Sequence, residues 1–342
     1  MKQQLLVFRF SSLGDVAMTV PVIRLLLKQY PQLHVIMVSA EFVKPLFSDI
    51  ERLDFLVADL KGKHKGIKGL YRLYKEIRDT YEIGAIADLH NVLRTKLLRG
   101  FFSFTGKPFV SIDKGRKEKK ELTRRNHKLL RPLKSTFSRY ADVFAELGYP
   151  VQLISEEGIK EPKKLKVLED LKSQGQKLVG IAPFALHQEK TYPADKMLEV
   201  LRLLSTHENI QVYLFGGKND ADRLMEWSKN HPRIETIAGK MNFENELQFI
   251  SSLDLMVSMD SANMHLASLY GVPVVSIWGG THPYLGFYGW AQKESNAVQI
   301  ELECRPSSVF GNKHCYNDMA CMKGISPIMI YEKIMQQLEV KA

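Results

Sequence analysis

Short, nearly all-apolar runs alternate along the chain with segments in which apolar residues recur at helical spacing. The first pattern marks strands buried on both faces, and the second marks helices laid over them. QLLVFRF (4–10) is the first predicted strand, and SSLGD turns it into the helix VAMTVPVIRLLLKQYP. HVIMVS (34–39) is a second strand, FVKPLF begins a helical stretch, and FLVAD (55–59) is a third strand. LYRLYKEIRDTY (70–81) reads as a helix, IGAIADL (83–89) as a strand, LRTKLLRGFFSF as a helix and PFVSID (108–113) as a strand. SRYADVFAELGYP (138–150) closes this half as a helix, with Gly148 and Pro150 suited to its end.

Residues 151–175 are polar and rich in Lys and Glu, as a boundary would be, and then the pattern restarts. KLVGIAPFA, IQVYLFGG, IETIAG, LDLMVSMD and VVSIWGG are strands, with helices ADKMLEVLRLLST, ADRLMEWSKNHP and FENELQFISSL between them. The chain then becomes irregular until a terminal helix over 327–340. An α/β fold of two Rossmann-like lobes with parallel sheets is expected, binding its ligand in a central cleft. The expected divisions are 1–160, 175–325, and a C-terminal helix over 326–342 that packs back toward the first lobe.

Composition narrows the class. At 342 residues, 45% hydrophobic and 25% charged, the chain suits a globular protein of two ordinary domains. No apolar run approaches the roughly 18 residues that span a bilayer. LLVF, interrupted by Arg9, is too short for a secretion signal, so a cytoplasmic protein is expected. A formal net charge of +10 points to anionic partners. Residues 114–131 hold much of that excess, as a solvated face or as a surface for an acidic or membrane-borne acceptor. Nucleic acid is not expected, because no aromatic interleaving accompanies the cluster. Cys304, Cys315 and Cys321, with His314 nearby, have poor spacing for zinc and read as reduced thiols.

Three loops carry the candidate chemistry. MDSANMHLASLYGVPVVSIWGG (259–280) opens a short helix with small capping residues and runs on into a buried strand. Free amides and the positive end of that helix make a phosphate site, with Asp260 beside it for sugar hydroxyls. Gly14-Asp15 sits at the turn after the first strand, where a carboxylate serves either as a proton acceptor or as a helix cap. Lys190 and Thr191, in the loop after the first strand of the second half, suit a phosphate by charge and by hydroxyl hydrogen bond. Neither GxGxxG nor GxxxxGK[ST] occurs, which disfavours a dehydrogenase or an ATPase.

FRFSSLGDVAMTVPVIRLL, EKTYPADKM, LFGGKNDADR and MDSANMHLASLYGVPVVSIWGGTHP resemble, in order, the ADP-heptose:lipopolysaccharide heptosyltransferase family. The resemblance spans nearly the whole chain and is weakest between about 100 and 175. It implies the two-lobed glycosyltransferase B fold and an inverting reaction that needs no metal or other cofactor. ADP-heptose would be the co-substrate and the inner core on lipid A the acceptor, reached by an enzyme resting peripherally on the inner membrane face.

Carried over by position, Asp15 would be the catalytic base, and Lys190 and Thr191 would touch the donor pyrophosphate. Asp260 would bind heptose hydroxyls. The amides of Ser261, Ala262 and Asn263 would receive phosphates, with His265 either joining them or serving as an ordinary helix residue. Gly279, Gly280 and Thr281 would form the turn beside the nucleotide. Acceptor contacts would come from Ser12 and Gly14 and from the basic segment, through Lys117, Lys120, Arg124, Arg125 and Lys128. The chain departs from the family at Ala262-Asn263, where Gly-Pro is usual, and at Ser307, where some relatives carry a cysteine. A transferase using another nucleotide sugar, or a non-catalytic binding protein of the same fold, therefore stays open.

Overall fold

The structure is a computed structural model that describes residues 3–229, 231–313 and 317–339. The chain divides into two compact units, one of residues 1–115 and 134–158, the other of 116–133 and 159–342.

The first unit holds a parallel sheet of β1 (Gln3–Phe8), β2 (Leu33–Ser39), β3 (Leu53–Val57), β4 (Ile83–Asp88) and β5 (Phe109–Ser111), in the order β3-β2-β1-β4-β5. Leu5 to Phe8 are buried without alternation, as a strand covered on both faces requires. The helix Gly66–Thr80 turns Leu70, Leu73, Tyr74 and Ile77 onto the sheet and leaves charged residues, with Ile67 and Tyr71 among them, on its outer side. Gly69 lets the preceding loop lie against this helix, since a Cβ there would overlap the His64 backbone. The helix after β1 breaks at Met18 into Leu13–Ala17 and Thr19–Gln29, so Pro21 falls in a first turn whose amides lack intrahelical partners.

The second unit's sheet is also parallel, comprising β6 (Lys177–Ala182), β7 (Ile210–Leu214), β8 (Ile234–Thr236), β9 (Leu255–Met259), β10 (Val274–Ile277) and β11 (Ala297–Val298). Its order is β11-β10-β9-β6-β7-β8. The irregular stretch expected after VVSIWGG thus contains a further strand, whose two residues are too few to show a period. The polar boundary region likewise contains a helix, Lys166–Ser173, which buries only Leu168.

One expectation about organisation is corrected, and the terminal helix, Pro327–Glu339, is part of the second unit. Ile330, Ile334 and Leu338 form one stripe and are buried in the core of the second unit, over its sheet and beside the helix Ala194–Leu204. The basic segment expected in the first half also joins the second unit. Lys128 Nζ donates to the Glu303 and Pro306 carbonyls at 3.0 and 3.1 Å. Leu133 N–H donates to Tyr284 O at 2.9 Å, and the Lys119 ammonium lies 4.1 Å from the Phe287 ring centre. Among the described residues no helix is long and apolar enough to cross a membrane.

Candidate active site

In a doubly wound sheet, ligands bind beyond the carboxyl ends of the strands where the order reverses. That point lies between β1 and β4 in the first unit and between β6 and β9 in the second. Asp15 follows β1; Lys190 follows β6, and Asp260 follows β9.

In the first unit, Asp15 lies in the first turn of the helix Leu13–Ala17 and is about one-third exposed. Its Oδ2 accepts from the Ser12 hydroxyl at 2.8 Å and, more weakly, from Ser12 N–H at 3.4 Å. Of the two roles open to this carboxylate, these contacts are those of the helix cap. Arg9, a charged residue at the end of a buried strand, reaches the same oxygen through Nη2 at 2.6 Å. Its Nη1 donates to Leu89 O at 2.8 Å, tying the Asp15 loop to the loop after β4. Tyr140 OH donates to Asp15 O at 3.2 Å and holds the backbone. Asp88, at the end of β4, accepts the His90 and Asn91 amides at 2.9 and 2.8 Å. His90 Nδ1 accepts the Phe10 amide at 3.3 Å. Burial, then the Arg9 and Lys114 charges, push His90 down to about 3, so it is neutral near pH 7.

In the second unit, Lys190 Nζ lies 2.8 Å from Asp260 Oδ2, and both side chains are largely buried. This contact spans the switch point and joins two residues far apart in sequence. Thr191 Oγ1 accepts Ala185 N–H and donates to His187 O, both at 3.3 Å, which closes the lysine loop. Beside Asp260, Ser261 has extended backbone and caps the helix Ala262–Leu269. Its hydroxyl is 3.0 Å from that of Ser258 and engages no amide of the first turn. Ser261, Ala262 and Asn263 are half-buried, and His265 is buried.

Gly279, Gly280 and Thr281 follow β10 and are buried. The Gly280 carbonyl accepts the Ser307 and Ser308 amides at 2.9 and 3.1 Å, and its amide donates weakly to Glu189 O at 3.4 Å. Thus the glycine turn abuts the lysine loop. Arg305, buried, donates through Nε to Gly279 O at 2.7 Å and through Nη2 to Thr281 O at 3.0 Å. Burial lowers the Arg305 pKa from its ordinary value. His282 Nδ1 accepts Tyr284 N–H at 3.1 Å, and burial, with Arg305 and Lys128 nearby, pushes it down to about 4.

Of the remaining expected site residues, Lys117, Lys120, Arg124 and Arg125 are exposed, and Lys128 is the half-buried anchor described above. Cys304 and Cys321 are buried thiols packed with Leu302, while His314 and Cys315 lie outside the described residues. Among the described residues no cluster of His, Cys, Asp or Glu has the arrangement to hold a metal ion.

Four contributors were missed from sequence: Arg9, His90, Arg305 and Gly311. Gly311 has a left-handed φ of 70°, and a Cβ there would overlap the Lys190 side chain, so its backbone forms part of the lysine's bed. Only Arg9 announced itself, as a charge inside an otherwise apolar strand.

The core heptosyltransferase OpsX of Haemophilus influenzae, which acts on lipopolysaccharide by its name, is 23% identical over 287 residues, covering 82% of this chain and 80% of that protein. A glycosyl transferase family 9 structure from Veillonella parvula covers 99% of this chain and 98% of its own at a TM-score of 0.75 and 20% identity. The E. coli heptosyltransferase WaaC, solved with ADP, covers 98% of this chain and 100% of its own at a TM-score of 0.67 and 16% identity. These likenesses carry the two-lobed glycosyltransferase fold. The model of glycosyltransferase family 9 (heptosyltransferase) matches residues 70–315, well over half of the chain and all three second-unit loops. The chain therefore belongs to glycosyltransferase family 9, the heptosyltransferases, and is a glycosyltransferase that moves heptose.

Proposed function

We propose that this enzyme transfers heptose from ADP-heptose to the inner core of lipopolysaccharide, with inversion and without a metal ion. The observation that carries the reading is the Lys190–Asp260 contact at 2.8 Å beside the start of the helix Ala262–Leu269. It sets a cation, a carboxylate and the positive end of a helix at one switch point, which suits the diphosphate and the sugar of a nucleotide sugar. ADP as the nucleotide and the lipopolysaccharide core as the acceptor are supported by what WaaC was solved with and by what OpsX is named for.

In this scheme an acceptor hydroxyl attacks the anomeric carbon from the face opposite the diphosphate. The C–O bond to the diphosphate breaks, ADP leaves, and Asp15 takes the hydroxyl proton. Negative charge grows on the departing diphosphate and is met by Lys190, Thr191 and the amides at 261–263. Such fixed donors stabilise developing charge without reorganising during the reaction. Asp260 accepts from heptose hydroxyls, giving up part of its contact with Lys190 as the lysine turns to phosphate. Arg305 holds the Gly279–Thr281 turn beside the nucleotide, and His265 backs the helix start. Ser12 and Gly14 shape the acceptor side of the Asp15 loop. The exposed Lys117, Lys120, Arg124 and Arg125 attract acidic groups of the core, whereas Lys128 is reserved for its two carbonyls. The lipid-borne acceptor puts the enzyme on the cytoplasmic face of the membrane.

Ala262 supports a second donor, because its methyl group narrows the phosphate approach where glycine is usual. A panel of nucleotide sugars, read by displacement of bound ADP and by product mass with a chelator present, tests both readings. Heptose transfer from ADP-heptose alone supports the first. Transfer of another sugar, or dependence on added metal, overturns that part of it.

A further inference from the structure

The first unit carries a second cationic surface, on the outer sides of the helices Gly66–Thr80 and Leu93–Phe102. Residues 60–75 and 89–112 contain Lys and Arg throughout and no Asp or Glu, unlike the 114–131 segment, where Glu118 and Glu121 interrupt. Lys68, Arg72 and Lys75 share one side of the first helix. Arg94, Lys96 and Arg99 flank the second, and all six are exposed.

Apolar side chains run between these charges. Leu93, Leu97 and Phe101 form a stripe at helical spacing that continues into the following turn as Phe104. Phe104 is 91% exposed and Leu93 74%; on the neighbouring helix Ile67 is 65% exposed and Tyr71 45%. The two helices meet at Tyr71 and Phe101, whose ring centres are 5.4 Å apart, so the apolar residues belong to one face. A soluble surface rarely leaves large apolar residues grouped in this way without an occupant.

We infer that this face docks the enzyme on a bilayer of anionic phospholipid. The inference rests on the proposed use of a lipid-borne acceptor. Lysine and arginine on such a surface pair with headgroup phosphates, while exposed Leu, Ile and Phe enter the boundary between headgroups and acyl chains. Two features favour lipid over nucleic acid. Leu93 and Ile67 are aliphatic and offer no stacking plane, and Tyr71 and Phe101 meet edge to face, so Phe104 alone of these residues stands open and no row of rings is presented to successive bases. The 114–131 segment fits the role less well, because Lys119 and Lys128 are committed to Phe287 and to the 303–306 backbone.

The test is co-sedimentation of the full chain with vesicles of phosphatidylethanolamine and phosphatidylglycerol, against phosphatidylcholine alone. Transfer to a de-acylated core acceptor is assayed on the same preparations. The parent protein is expected to bind the anionic vesicles and to be released by salt. Lys68→Glu/Arg72→Glu/Lys96→Glu is expected to weaken binding about tenfold or more. Leu93→Ser/Phe104→Ser is expected to leave a weaker, wholly salt-sensitive contact. Both should transfer heptose to the soluble acceptor at the parent rate. Lys117→Glu/Lys120→Glu/Arg124→Glu should bind vesicles as the parent does. Absence of vesicle binding, binding indifferent to the helix substitutions, or loss only in the 117/120/124 variant would overturn the inference. Failure of transfer to the soluble acceptor with vesicle binding intact would instead count against the proposed function.

Discussion

Arg9 Nη2 lies 2.6 Å from Asp15 Oδ2, and the same guanidinium donates through Nη1 to the Leu89 carbonyl. A buried cation at the end of β1 thus holds the proposed base and is itself anchored to the loop after β4. Asp15→Asn keeps the size of the side chain and removes its basicity. It should lower kcat by about 10²–10⁴-fold with ADP binding unchanged. Steady-state kinetics with calorimetry of ADP binding checks this, and a variant that retains its kcat would remove Asp15 from the chemistry.

Arg9 is a positioning residue in this account, acting through Asp15 rather than on substrate. Arg9→Lys keeps the charge but cannot reach both Asp15 and Leu89 in the same planar geometry. It should lower kcat more than it raises either KM, and Arg9→Met should lower it further. A purely structural role would instead move both variants together in thermal melting with kcat per folded molecule preserved.

The contact between Lys190 and Asp260 makes opposite demands on the two residues. Lys190→Ala should weaken ADP binding and lower kcat by about 10²–10³-fold, as expected for loss of one group aimed at developing charge. Asp260→Ala leaves a largely buried ammonium without its partner and should destabilise the fold by about 3–5 kcal/mol. Urea unfolding of both variants and of the double variant separates the terms, because the double variant should recover part of the loss.

Burial of the terminal helix gives a stability prediction. Ile334→Ala removes a side chain with no solvent exposure from the second unit's core and should cost about 2–5 kcal/mol. An unfolding midpoint unchanged by the substitution would mean that this helix is not part of that core.

His90 and His282 are held below the ordinary value of 6.5, at about 3 and about 4, chiefly by burial. The unfolded chain therefore binds more protons between those limits and 6.5. Their contribution is fully present above about pH 6.5 and is lost as the pH falls toward 4 and then 3. Urea unfolding from about pH 7 to pH 5 should show falling stability. The slope should be shallower in His282→Asn, which retains an acceptor for the Tyr284 amide. An equal slope in both proteins would contradict the assignment.

Much of this was readable in the chain, and the reasons differ by element. Nearly continuous apolar runs such as LLVF and LMVSM identified the central strands because a strand covered on both faces has no solvent-facing side. The Asp15, Lys190 and Asp260 loops were visible because each follows such a strand. Two features were beyond a local pattern. Strand order decides that Lys190 meets Asp260, and order is set by long-range packing. The basic segment's attachment to the second unit depends on backbone carbonyls at 303 and 306, which no side-chain sequence announces. Gly311 escaped for the same reason: its partner is the stem of a lysine far away in sequence.

The most direct measurement incubates the purified protein with ADP-heptose and a de-acylated core acceptor in the presence of a chelator, following ADP release and the mass and anomeric configuration of the product. The account predicts one heptose added with inverted configuration, and loss of that transfer in Asp15→Asn while ADP-heptose still binds. Retained configuration, undiminished transfer in Asp15→Asn, or tight ADP-heptose binding with no transfer to any core acceptor would contradict it.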